Sequence, residues 1–299
     1  MNVRQPVQQP VRVALAEAVS ALPEGGGWAY EPKFDGHRMV VLRGEGGNVT
    51  LQARSGRTVT SAFPDLAEAA ARLPEGTVLD GEVVVWSGGR IDFAAVQQRA
   101  AATRARAGVL ARTLPASYAA FDLLAEGGED CRRLPYAERR ARLVRLLAPW
   151  GPPLQAVPST TDRGLALTWY ETLPATGVEG LVIKRLDAAY RGGTRAWLKL
   201  RHSDTRDAVV VGCTGNPARP QALVLALPGD GTPVVSSPLS PAVRSAAAQA
   251  LPEPVGEGVA TAIGIGDLTY AALPAEPVVM VEVRQNTTRH ATAVVVRFR

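Results

Sequence analysis

Hydrophobic and polar positions change period along the chain in an order that predicts mixed secondary structure. Residues 28–31, 37–43 and 48–54 read as short β runs, and the glycines within 44–47 supply a hairpin turn between the last two. Phe63-Pro64-Asp65-Leu66 predicts a helix to about Leu73, with Asp65 in its first turn and Pro74 as its stop. Residues 77–86 form a Val/Leu-rich strand interrupted by Asp80-Gly81-Glu82, and 93–99 a helix followed by a basic, Ala-rich stretch to 112 that fits helix or loop. A strand over 117–124 follows. The 135–147 helix points Leu143, Leu146 and Leu147 inward and its arginines outward. A further helix, 162–173, has Asp162 as its cap, and strands at 178–184 and 197–201 complete this part.

Beyond Arg201 the texture changes. His202-Ser203-Asp204-Thr205 is short and polar and reads as a hinge. Five short β runs (208–211, 223–227, 233–236, 278–284 and 294–298) and one helix, 241–251, then predict a small Greek-key barrel of OB type. The 299-residue length suits two domains, placed at 1–202 and 203–299.

Composition narrows the class without setting the function. The chain is 46% apolar and 20% charged, as ordinary globular proteins are. No stretch approaches the roughly 20 apolar residues of a membrane span, and Met1 to Pro10 lacks a signal-peptide core, so a cytoplasmic protein is expected. Cys131 and Cys213 are far apart, which predicts buried thiols rather than a disulfide framework or a zinc site. The excess of 33 basic over 28 acidic residues is a modest bias toward polyanions.

Candidate chemistry begins at Glu31-Pro32-Lys33-Phe34-Asp35-Gly36-His37-Arg38. On an extended chain, Lys33 and Asp35 share a face, Gly36 allows a turn or a close approach to a ligand, and Arg38 adds a second cation. Such a face suits a phosphate; a surface strand with an ion pair is the plain alternative. Further charges interrupt apolar strands at Glu82, Glu179 and Lys199. Buried charges are costly unless paired or bound to a metal or an anion, and so many complementary interruptions argue for one site.

In this order the motifs resemble those of the covalent nucleotidyltransferase superfamily, specifically ATP-dependent DNA ligases of the small bacterial LigC and end-joining types. K-x-D-G-x-R is Lys33, Asp35, Gly36 and Arg38; R-x-G is Arg54-Ser55-Gly56; D-G-E is Asp80-Gly81-Glu82. Phe121-Asp122, Glu179-Gly180 with Lys184, and Lys199 follow in family order. The resemblance implies an α+β fold: a nucleotidyltransferase domain of ATP-grasp-like antiparallel sheets with helices, then an OB-fold β-barrel. It implies that Lys33 is the nucleophile that carries AMP, with Asp35 helping to organise the reacting groups. Glu31 and Phe121 would hold adenine, Arg54 and Glu82 the ribose, and Lys184 and Lys199 the phosphates. Arg38 would contact ribose or the nick 5′-phosphate, Glu82 and Glu179 would support Mg²⁺ or Mn²⁺, and Arg57 and Arg201 would touch DNA.

Physical chemistry points the same way. A free lysine is protonated near pH 7, so a lysine nucleophile needs nearby cations and desolvation. Phosphoryl transfer needs in-line positioning and neutralised oxygens. The expected substrates are ATP and nicked double-stranded DNA, in repair, with a monomeric protein and no membrane. An RNA ligase, an mRNA-capping-type guanylyltransferase and a non-catalytic nick-binding module are the alternatives. Arg201 stands where many ligases carry a second lysine, and Arg297 or Arg299 would fill part of the role of a C-terminal arginine-aspartate-lysine element. Arg57, Arg104, Arg106 and Arg112 are candidates for DNA phosphates, with a solvated surface charge as the plain alternative for each. With about 32 residues ahead of Lys33, no large N-terminal DNA-encircling domain is expected.

Overall fold

The computed structural model describes residues 7–228, 232–262, 266–286 and 293–299; for 203–205, 262, 285 and 286 only the backbone is considered. The chain divides into two compact units, Met1–Arg201 and His202–Arg299.

The first unit is built on two sheets. One has the order Ala16–Ala18, Trp197–Arg201, Val178–Arg185, Trp28–Phe34; its first pairing is parallel and the others are antiparallel. The other runs Val49–Ala53, His37–Arg43, Thr77–Ser87, Ala116–Glu126, Glu129–Asp130, with Leu154–Ala156 added in parallel beside Ala116–Glu126. Their apolar runs are nearly continuous because both faces are covered. In His37–Arg43, Met39 and Val41 enter a core with the helix Pro64–Ala70 and with Leu143, Leu146 and Leu147 of Tyr136–Leu147. Val40 and Leu42 enter a second core with Tyr190 and Trp197. The period-2 geometry of a strand divides its side chains between the two. On the far side of the first sheet, Tyr30, Leu181, Ile183 and Leu200 pack against the helix Arg163–Thr172. Asp162 caps that helix by accepting from the Gly164 and Leu165 amides, as its sequence predicts.

One open reading of the first unit is decided and one needs revision. The Ala-rich basic stretch is in part a helix, Arg104–Thr113. Tyr136–Leu147 does not turn all its arginines outward: Arg139 is buried and donates to both carboxylate oxygens of Asp122, at 2.7 and 3.0 Å. A helical wheel counts charge and cannot see a partner on a neighbouring strand.

In the second unit, a seven-stranded sheet contains Ser203–Asn216, Arg219–Ala226, Val234–Val235, Gly256–Ala262, Gly266–Ala272, Met280–Asn286 and Val294–Phe298. The tract read as a hinge is the start of the 14-residue strand Ser203–Asn216, paired from Ser203↔Asn286 onward. That strand pairs with Met280–Asn286 along its first half and with Arg219–Ala226 along its second, so the sheet curls. The hairpin Gly256–Ala262/Gly266–Ala272 escaped the sequence because Gly and Ala carry little β preference. Both cysteines are buried free thiols, as expected.

Candidate active site

The two middle strands of the first sheet set the geometry. Phe34 pairs with Val178 and Pro32 with Leu181, so Glu179 and Gly180 together oppose Lys33. This is a β-bulge, which re-aims a side chain and gives up a ladder bond. Gly180 has φ +145°, and a Cβ there would lie 2.0 Å from the Leu200 carbonyl oxygen. Glu179 is thereby turned toward Lys33, whose ammonium donates to it. Arg201 lies 3.6 Å from the same carboxylate. Glu31 and Lys199 both pair with Val182, so a single row across three strands carries them on one face.

The second sheet supplies the opposite wall. Arg38 and Glu82 are cross-strand partners, as are Asp80 and Asp122. Asp80, fully buried, accepts two bonds from Arg38 (3.0 and 2.7 Å) and one from the Tyr190 hydroxyl (2.6 Å). The Arg38 guanidinium lies 5.2 Å from the Phe121 and Trp197 ring centres, and those rings meet edge to face at 5.7 Å. Burial works against the Arg38 charge, but Asp80 outweighs it and raises the guanidinium above its ordinary value.

Between the walls lies a cavity of about 300 Å³. Its lining includes Glu31, Lys33, Arg38, Arg54, Glu82, Phe121, Trp197, Lys199 and Arg201. Burial raises the Glu82 carboxyl to about 7 against the opposing pull of Lys33 and Arg38, and the nearby Asp80 and Glu179 charges add to the rise. Burial lowers the Lys199 ammonium, and the Arg201 and Lys33 charges lower it further.

Several of the sequence candidates lie outside the lining. Lys184 is buried behind it, 2.8 Å from Glu31 and donating to the Phe121 carbonyl at 2.7 Å. Its ammonium is 4.3 Å from the Trp197 ring centre, so it braces the pocket wall. Glu179 reaches the cavity through Lys33. Asp35 follows the end of the Trp28–Phe34 strand, and Arg57 is exposed on the surface. Gly36 makes a close approach to the neighbouring strand: a Cβ would stand 2.2 Å from the Val83 carbonyl oxygen. Arg297 and Arg299, in the second unit, are held by ion pairs to Glu282, and Arg299 also bonds Asp207.

Sequence reasoning missed the supports. Tyr136 donates its hydroxyl to Glu31; burial and that carboxylate keep the phenol well above its usual range, and so a donor. Tyr190, Asp80 and the Arg139–Asp122 pair hold the opposite wall. Asp80 and Asp122 were visible as members of motifs, but tyrosines in a helix and a loop carry no local signal of which carboxylate they meet.

Residues 9–201 match the family model described as the ATP dependent DNA ligase domain. DNA ligase C2 of Mycolicibacterium smegmatis is 39% identical over 208 residues, covering 69% of this chain and 58% of that protein. DNA ligase C of Mycobacterium tuberculosis is 38% identical over 212 residues, again covering 69% and 58%. The chain therefore spans 58% of the length of these relatives. Among solved structures, the ligase domain of M. tuberculosis LigD is similar at 25% identity and a TM-score of 0.53, over 96% of this chain and 95% of that one. A Lig E DNA ligase shares the fold at 16% identity and a TM-score of 0.61, over 96% and 99%. With the match running through the whole two-sheet unit and every motif around the cavity, the chain belongs to the ATP-dependent DNA ligase domain family.

Proposed function

We propose that this chain is the catalytic core of an ATP-dependent DNA ligase that seals nicks bearing 5′-phosphate and 3′-hydroxyl ends. The observation that carries the reading is Lys33: its amine enters a cavity walled by Phe121 and Trp197 and rimmed by Arg38, Arg54, Lys199 and Arg201. A purely nick-binding protein has no use for an amine placed among so many cations.

In the first step, unprotonated Lys33 Nζ forms a bond to the α-phosphorus of ATP, the bond to the bridging oxygen breaks, and pyrophosphate leaves. Lys199, Arg54 and Arg201 balance the charge on the phosphates, while Phe121 stacks on adenine beside Glu31. Glu82 contacts the ribose, and Lys184 acts on the nucleotide through Glu31 and the pocket wall. A nick 5′-phosphate oxygen then displaces Lys33 from AMP, with Arg38 and Arg57 as contacts to that end. The 3′-hydroxyl attacks the activated 5′-phosphate, the strand closes, and AMP leaves. Asp35, at the mouth of the Lys33 strand, helps to organise these groups.

Glu82 and Glu179 fit a divalent cation. Burial, with the neighbouring Asp80 and Glu179 charges, raises the Glu82 carboxyl to about 7, a cost of ionisation that a bound cation would offset. Among the described residues no group of three or more metal-ligating side chains occurs; this suits Mg²⁺, which keeps several waters and takes one or two carboxylates. When bound, such a cation neutralises charge developing on the phosphate.

The second unit reads as an OB-type barrel, supported by its curled seven-stranded sheet around one apolar core. A monomer acting on DNA in the bacterial cytosol completes the proposal. Incubation with labelled ATP and Mg²⁺ or Mn²⁺ tests it: an acid-labile, base-stable adduct should form on the wild-type chain and vanish in Lys33→Ala. A wild-type chain that no nucleotide labels would refute the catalytic reading, and comparing nicked DNA with nicked RNA identifies the polymer sealed.

A further inference from the structure

Glu31 is only 1% exposed, yet it lines the cavity together with Phe121. The groups that hold its carboxylate stand behind that lining. The Tyr136 hydroxyl donates to Oε1, the Lys184 ammonium lies 2.8 Å from Oε2, and Arg140 Nη1 lies 4.0 Å from Oε1. Tyr136 and Arg140 are four positions apart on the helix Tyr136–Leu147, and so share one of its faces. Lys184 is occupied a second time, by the Phe121 carbonyl.

Arg140 is the unsettled member of this group. Its Nη2 donates to the Val157 carbonyl, whereas the buried Nη1 has no hydrogen-bond partner among the described residues. Glu31 Oε1 would satisfy it. A buried donor left unpaired costs free energy, so Arg140 draws the carboxylate toward itself. The carboxylate can respond, because the terminal torsion of a glutamate is broad. The phenol opposes that turn: burial and the neighbouring carboxylate keep it protonated, and it occupies the oxygen that Arg140 would take. A carboxylate offers about four lone-pair sites, so Glu31 keeps acceptor capacity for a group inside the cavity it lines.

We propose that Tyr136 is a positioning residue that sets the purine preference of the cavity, by holding Glu31 where it accepts from the amino group of a 6-aminopurine stacked on Phe121. The inference rests on the ligase reading for its nucleotide, and adds to it the two helix residues that compete for Glu31. A purine with hydrogen in place of the amino group leaves the buried carboxylate short of a donor, which costs more binding than a lost contact alone. Without the Tyr136 hydroxyl, Glu31 turns to Arg140 and the amino group loses its acceptor.

The test is equilibrium binding of two ligands to the full chain: AMP, which has no pyrophosphate to lose and so only binds, and purine riboside monophosphate, which lacks the amino group. Covalent labelling by ATP and Mg²⁺ is measured in parallel. The wild type should bind AMP about 10- to 100-fold more tightly, the range for one hydrogen bond to a charged group. In Tyr136→Phe that preference should fall about 10-fold. A ratio of two affinities within one variant does not depend on how much of the protein is folded, so a merely structural role would leave it unchanged. Tyr118→Phe is the control: it removes a buried hydroxyl that donates to the Met39 carbonyl at 2.9 Å, and should keep the wild-type ratio. Equal binding of the two ligands by the wild type overturns the proposal, as does a wild-type ratio in Tyr136→Phe or an equal fall in Tyr118→Phe. A wild type that prefers AMP but is not labelled by ATP overturns the ligase reading alone, and one that binds neither ligand overturns both.

Discussion

Lys33 faces a two-residue bulge, and the second of those residues, Gly180, is the only type the backbone admits there. Its φ of +145° is essentially restricted to glycine, and the Leu200 carbonyl leaves no room for a Cβ. Glu179 meets the Lys33 amine because Gly180 takes this conformation.

Gly180→Ala should therefore cost more than the ~1–3 kcal/mol of backbone strain alone, since a clash is added. A lowered melting temperature together with lost ATP labelling is expected. A variant with wild-type melting and labelling would show that the bulge is dispensable.

Glu179→Gln separates charge from shape. The amide still accepts a bond from Lys33 but binds a divalent cation poorly. ATP labelling should fall by ~10- to 100-fold, the range typical for disturbed metal support, while the melting temperature stays close to that of the wild type. Rescue by raised Mn²⁺ would locate the defect in the cation site.

The pH dependence follows from Glu82. Its carboxyl is raised by burial from 4.5 to about 7 in the folded chain, so between those values the folded state binds more protons than the unfolded state. Its contribution to stability is complete below about pH 4.5 and is lost as pH rises through 7. In metal-free buffer, the melting temperature of the wild type should decline from about pH 5 to 8 relative to Glu82→Gln. Mg²⁺ should recover the difference at the upper end. Parallel wild-type and Glu82→Gln curves would remove Glu82 from this role.

Arg139→Ala would strand the buried Asp122 carboxylate, which loses both guanidinium bonds and keeps, among the described residues, only the ion pair to Lys184, at 3.9 Å. Breaking one side of such a pair costs about 3 to 5 kcal/mol. Chemical denaturation should show a loss of that size, whereas truncating exposed Arg145 should change little.

Much of this molecule could be read from its order of residues. The strands and helices of the first unit follow local pattern: alternation, caps and proline stops depend on neighbours within a few positions. Glu82 and Lys199 stood out because charges interrupt apolar strands, Lys33 and Arg38 because they add cations to one strand face, and Phe121 only through the family motif it belongs to. Other facts depended on contacts between residues far apart in the chain. Lys184 looks like a phosphate ligand in sequence, yet cross-strand packing buries it against Glu31, 153 positions away. Arg139 looks like an outward charge, yet Asp122 on the adjacent strand draws it in. The polar tract after Arg201 looks like a hinge, yet pairing with Met280–Asn286 makes it strand. Sequence alone determined which chemistry the chain carries, because reactivity belongs to residue type. Only the tertiary structure decided which charges face the cavity and which brace it, because burial and pairing depend on what lies opposite.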